Sequence, residues 1–135
     1  VNNVKKAATK MLRPGTLWKE FHKEVGNIMT SELLALGLLD KADIKNEDKD
    51  WPAYKKYFMH GTSHHIGLDT HDYGLLWEAM QAGNVFTVEP GIYIPEEGFG
   101  IRLEDDVVIQ EKGNPVNLMG DIPIEADEIE ELMNS

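Results

Sequence analysis

The sequence predicts an α+β fold in which helices pack on a curved, mainly antiparallel sheet. Apolar residues recur at helical spacing through the first third of the chain, apolar runs of strand length crowd into residues 85–109, and an amphipathic segment closes the chain. With 135 residues and 41% hydrophobic content, one domain is the default and a real core is within reach.

The elements follow in order. Val4, Ala7, Ala8, Met11 and Leu12 keep helical spacing and Pro14-Gly15 ends the run, so a short amphipathic helix is expected there. Thr16 is expected to cap a longer helix, whose stripe of Leu17, Phe21, Val25, Ile28, Met29, Leu33 and Leu34 ends near Gly37 and should pack on the sheet. Residues 40–50 are charged and lack an apolar period. They read as a surface connection, followed by a short helix capped by Asp50 with Pro52 in its first turn. Strand-like runs follow at Val85–Val88, Ile92–Ile94 and Ile101–Ile109. From Ile124 to Met133, acids in the first turn and an apolar face of Ile129, Leu132 and Met133 predict a terminal docking helix.

Composition narrows the function classes. Acidic residues outnumber basic ones 24 to 13, and the net charge of -11 repels phosphate backbones and anionic lipid, so neither nucleic acid nor a membrane is an expected partner. The chain has no cysteine, which removes thiolate nucleophiles, disulfides and Cys-type zinc sites and fits the cytoplasm. Any metal must be held by His, Asp and Glu. No apolar run is long enough to cross a bilayer, and Val1-Asn2-Asn3-Val4-Lys5 lacks the apolar core of a signal peptide. A first residue of valine, not methionine, raises the expectation of further residues upstream.

Chemistry concentrates after Met59. The stretch His60-Gly-Thr-Ser-His64-His65-Ile-Gly67-Leu-Asp-Thr-His71-Asp72 holds four of the five histidines, set between glycines as a site on irregular backbone would be. In Val85-Phe-Thr-Val-Glu89-Pro-Gly-Ile-Tyr93 an apolar strand delivers one carboxylate and stops at Pro-Gly. A carboxylate ending a buried strand calls for a partner. In Gly100-Ile-Arg102-Leu-Glu104-Asp-Asp106-Val-Val-Ile109, alternation puts Arg102, Glu104 and Asp106 on one face and Ile101, Leu103 and Val107 on the other. Each segment alone admits a plainer reading: solvated turn histidines, an edge glutamate facing water, an exposed salt-bridged strand. Together they offer one imidazole and at least two carboxylates, a ligand set suited to Mn, Co, Fe or Zn.

These three strings, in this order, resemble the C-terminal half of the pita-bread metallopeptidases, specifically Xaa-Pro aminopeptidase and its relative prolidase. The resemblance covers essentially all of the chain. It implies that His64 binds one metal, that Glu89 binds metal and passes a proton, and that Glu104 bridges both ions. It implies two divalent ions, manganese foremost with cobalt, zinc or iron as alternatives, which share a water, lower its pKa and polarise the scissile carbonyl. His71 would contact the substrate and the tetrahedral intermediate, His60 would line the proline pocket, and Arg102 with Tyr93 would orient a metal-binding aspartate. Glu89, His71 and Arg102 are thus the expected catalytic group, acting on a peptide with proline in second position.

Three other readings stay open. A prolidase would cut only Xaa-Pro dipeptides, a methionine aminopeptidase shares the fold but fits these strings less well, and a catalytically silent pita-bread binding module has no need to keep His64, Glu89 and Glu104. One departure weighs on all of them. The family supplies two more ligands as aspartates on upstream strands, and no such motif precedes His60; Asp40, Asp43, Asp48 and Asp50 lie in a hydrophilic connector and do not take those roles. Residues 1–135 are therefore expected to be the C-terminal part of a catalytic domain, inactive alone, with an uncovered sheet surface that favours self-association as a homo-oligomer.

Overall fold

A computed structural model of the chain describes residues 1–135. Two helices, α1 (Asn2–Met11) and α2 (Trp18–Ala35), form one layer of the core. Val4, Ala8 and Leu12 meet Phe21, Val25, Met29 and Leu33, all almost wholly buried. The expected Thr16 cap is not made. Residue Leu17 stands at the N-cap of α2 with no side-chain bond, while the Thr16 hydroxyl donates to the Met11 carbonyl (2.9 Å) and so closes α1 instead. Leu17 is exposed and Trp18 takes its place in the stripe. At the far end of α2, Gly37 (φ +73°) turns the chain left-handed. Its N–H donates to the Leu34 carbonyl and that of Leu38 to the Leu33 carbonyl, both at 3.0 Å, closing a Schellman motif that only a residue without Cβ adopts at no steric cost.

The strands make two antiparallel sheets. β1 (Val85–Val88), β4 (Asp105–Val108) and β5 (Val116–Asn117) are ordered β1-β4-β5, and β2 (Gly91–Ile94) pairs with β3 (Phe99–Arg102) as a separate hairpin. The single strand expected over 101–109 is thus two strands in two sheets. At Leu103–Glu104 the chain leaves one sheet for the other, with the Leu103 N–H held by the Pro90 carbonyl (3.3 Å). Ile101, which alternation places on the same face as the buried Val107, is therefore 53% exposed. In β4 the inward residues are Asp105 and Val107. Phe86 and Val88 of β1 face the same core, and the Trp18 and Phe86 rings meet edge-on at 4.9 Å, which is where α2 docks on the sheet.

Two further helices depart from expectation. In the charged connector, α3 (Lys41–Lys45) exists because Asp40 and Asp43 form a reciprocal capping box. The turn after Pro52 is a 3-10 helix, Ala53–Lys56, with Pro52 and not Asp50 at its cap. The closing helix α4 (Ala126–Met133) buries none of its residues; Leu132 and Met133 are exposed and it docks only by its entry, where Glu125 accepts from Asn2 and Lys6. No helix is long and apolar enough to cross a membrane.

Candidate metal centre

Three chain segments meet beside β1. Residues 62–65 run along its outer edge: the Thr87 N–H donates to the His64 carbonyl (3.1 Å), the Glu89 N–H to the Thr62 carbonyl (2.8 Å), and His65 bridges to Phe86. On its other edge β1 pairs with β4, Val88 lying opposite Asp105. That rung fixes the geometry, because Glu89 follows Val88 at one end and Glu104 precedes Asp105 at the other. Both carboxylates therefore leave the sheet at the same place, beside the imidazole brought in by residues 62–65.

The ligand atoms of His64, Glu89 and Glu104 lie within 4.8 Å of one another. The His64 Nδ1–H donates to the His65 carbonyl (2.8 Å), which a carbonyl can only accept, so Nε2 carries the free lone pair. That nitrogen faces Glu89 Oε1 at 3.1 Å. A lone pair and a carboxylate at that distance are reconciled by a proton or a cation between them. Arg102 supplies positive charge from one side, 3.8 Å from Glu89 and 3.9 Å from Glu104. The Glu104 carboxyl is pushed above its ordinary range, first by burial and then by the neighbouring Glu89 charge, with Arg102 acting in the opposite sense. Two carboxylates and an imidazole drawn this close, with a ligand-ready nitrogen, fit a hard or borderline divalent ion.

The other histidines take different positions. His71 stands edge-on to His64, ring centroids 4.5 Å apart, yet adds no atom to the ligand cluster. His60 donates from Nδ1 to the Gly61 carbonyl (2.7 Å), so its Nε2 accepts from the Tyr93 hydroxyl (2.9 Å). Tyr93 thus orients His60 here. His60, His64, His71, Glu89 and Arg102 line one open depression that has no apolar side chain in its wall. His65 lies outside it, between Trp18 and Phe86, where burial holds its pKa below the usual histidine value.

Two functional side chains escaped the reading of the sequence. Thr87 is buried; its oxygen accepts from the His64 N–H (3.1 Å) and its hydroxyl donates to Glu89 Oε1 (3.2 Å), tying two of the three clustered residues together. The available signal was its place two residues before Glu89 on a strand, hence on the same face. Asp72 accepts from the N–H groups of Leu68 (2.8 Å) and Tyr73 (2.7 Å) and so holds the loop that carries His71. An aspartate directly after a loop histidine is the sort of residue that makes such turns.

Comparison with known proteins follows the same lines. The model of metallopeptidase family M24 matches residues 1–111. The chain is 44% identical to the Xaa-Pro aminopeptidase of Escherichia coli K12, over 92% of this chain and 30% of that protein. Among solved structures it superposes on E. coli aminopeptidase P with the inhibitor Pro-Leu at a TM-score of 0.84 and 40% identity, covering 99% of this chain and 33% of that one. The zinc-substituted form of that enzyme in complex with product gives 0.83 and 40%, covering 99% and 32%. The chain therefore spans about a third of the length of the relatives it matches, and its α+β fold is theirs.

Proposed function

The chain belongs to metallopeptidase family M24, and from that premise we propose that it is the C-terminal part of the catalytic domain of an Xaa-Pro aminopeptidase. The substrate is a peptide with proline in second position, cut between its first residue and the proline. The observation that carries this reading is the convergence of ligand atoms of His64, Glu89 and Glu104 within 4.8 Å.

In the proposal those three residues hold the ions, a divalent pair completed by carboxylates from residues upstream of Val1, with manganese foremost and cobalt, zinc or iron as alternatives. When bound, such ions supply Lewis acidity and a nucleophilic water of lowered pKa. The chain's own residues do the rest. His64 is fixed in the tautomer that leaves Nε2 free, and Thr87 holds Glu89 in place. Glu89 accepts and passes a proton, while Arg102 holds positive charge against both glutamates. His71, on the rim and free of the ligand cluster, donates to the substrate oxygen as charge develops there. His60, held by Tyr93, lines the proline side of the cleft. The cytoplasm is the proposed compartment, consistent with a chain free of cysteine.

The full-length protein, loaded with manganese, is to be assayed on Xaa-Pro-Xaa, Xaa-Pro and Met-Ala peptides. Hydrolysis of the first supports the proposal. Exclusive cleavage of the dipeptides would make it a prolidase, and cleavage of Met-Ala alone would remove proline specificity altogether.

A further inference from the structure

The core of this chain contains one ion pair that the chemistry above does not use. Lys5 of α1 and Asp105 of β4 are 5% and 6% exposed, and the Lys5 ammonium bonds Asp105 Oδ2 directly. Asn117 of β5 donates to the same oxygen at 2.9 Å. A buried pair of this kind is poor at adding stability, because desolvating both charges offsets most of their attraction, and an apolar pair of similar volume often serves as well or better. What it does supply is direction, since an ammonium and a carboxylate bond along fixed lines and apolar groups do not.

Its position gives that direction a use. Asp105 sits opposite Val88 in the rung that ends β1 and begins β4, and the two metal-site glutamates are the next residues out, Glu89 after Val88 and Glu104 before Asp105. Lys5 reaches this rung from the helical layer and Asn117 from the neighbouring strand, so Asp105 is held from two sides just where Glu104 leaves the sheet. Glu104 has little else to fix it: its side chain is 41% exposed and its nearest cation, Arg102, stands 3.9 Å away and is itself half exposed.

We propose that Lys5, Asp105 and Asn117 are positioning residues for the metal centre, setting the place at which Glu104 enters it relative to Glu89. The inference rests on the reading of His64, Glu89 and Glu104 as metal ligands.

The test uses the full-length protein, with manganese and zinc as probes and both metal affinity and thermal unfolding as readouts. Two variants are compared with the parent: Asp105→Asn, which keeps shape but weakens the bond to Lys5, and Lys5→Met with Asp105→Leu, which replaces the pair by apolar groups. Metal affinity should fall roughly 10- to 100-fold in both, the range seen when groups that orient ligands are removed. In the double variant the melting temperature should stay level or rise while affinity and kcat fall and KM holds, a separation that a merely structural pair would not give. Unchanged affinity in a folded variant would overturn the inference, as would an affinity loss that tracks loss of folded protein in both variants. Failure of the parent protein itself to bind metal would instead refute the reading of the site, and this inference would fall with it.

Discussion

Replacing Thr87 by valine removes one hydroxyl and two hydrogen bonds from the middle of the site. The side chain is 1% exposed, so water cannot stand in for either bond. The contact with the His64 N–H is a neutral one, worth about 1 kcal/mol net; the contact with the Glu89 carboxylate involves a charged acceptor, worth about 1.5–3 kcal/mol. Valine nearly preserves volume, so no cavity adds to the cost, and the expected destabilisation of the metal-free chain is about 2–4 kcal/mol. With a urea slope of about 2 kcal/mol/M, mid-range for a small protein, the unfolding midpoint should drop by about 1–2 M. Because the same hydroxyl orients Glu89, manganese affinity of the full-length protein should fall roughly 10-fold or more. Thr87→Ser, which keeps the hydroxyl, should recover most of that affinity. A valine variant with the parent's urea midpoint and metal affinity would show that the two bonds do not hold the site, and the reasoning would fail.

Other outcomes follow from the same geometry. His71→Ala in the full-length protein should lower turnover roughly 100-fold while leaving metal content unchanged, since His71 adds no atom to the ligand cluster; equal loss of metal would make it a ligand. Asp72 is held below the usual carboxylate range, chiefly by the Tyr73 N–H, so the folded state favours its charged form. Its support for the loop should therefore be complete above the ordinary aspartate value of about 3.9 and be lost as pH falls below it, read as faster amide exchange at Leu68 and Tyr73; exchange independent of pH after correction for the intrinsic rate would contradict this. The 135-residue chain by itself should show no manganese-dependent cleavage of an Arg-Pro-Pro-type peptide, and robust activity would mean that its own residues complete the centre.

The legible parts of this molecule were those in which a long-range contact leaves a local periodic trace. The stripe through Phe21, Val25, Met29 and Leu33 fixed α2 and its buried face because one face of eighteen residues meets the core. The histidine string and the two glutamates marked the site because residues that hold a charge in a strand end or a glycine-rich turn are conspicuous there. Features set by contacts between distant segments left no such trace. Nothing local in residues 101–109 tells a continuous strand from one that changes sheet at Leu103, and so the exposure of Ile101 was missed. Asp105 looked like one acid in a charged run, and only the arrival of Lys5 from a hundred residues away makes it a buried ion. The capping box of α3 is spelled by Asp40 and Asp43, but it lies inside a connector whose charge and lack of apolar period hide it. In α4 the amphipathic pattern is real, yet none of its residues is buried.

The hairpin of β2 and β3 ends in a 3-10 turn, Pro95–Glu97, closed by Gly98 with φ +71°, and the turn is exposed throughout. Three paired rungs, Ile94–Phe99, Tyr93–Gly100 and Ile92–Ile101, lie between that tip and the rung of Arg102, and the step at Leu103–Glu104 separates the hairpin from the sheet that carries Val88 and Asp105. The tip thus contributes no side chain to the cleft, although Tyr93, which holds His60, and Arg102 lie lower in the same hairpin. It is the natural place to insert an affinity tag, a fluorophore or a small reporter domain, because added chain there lengthens an exposed turn without touching the rungs beneath.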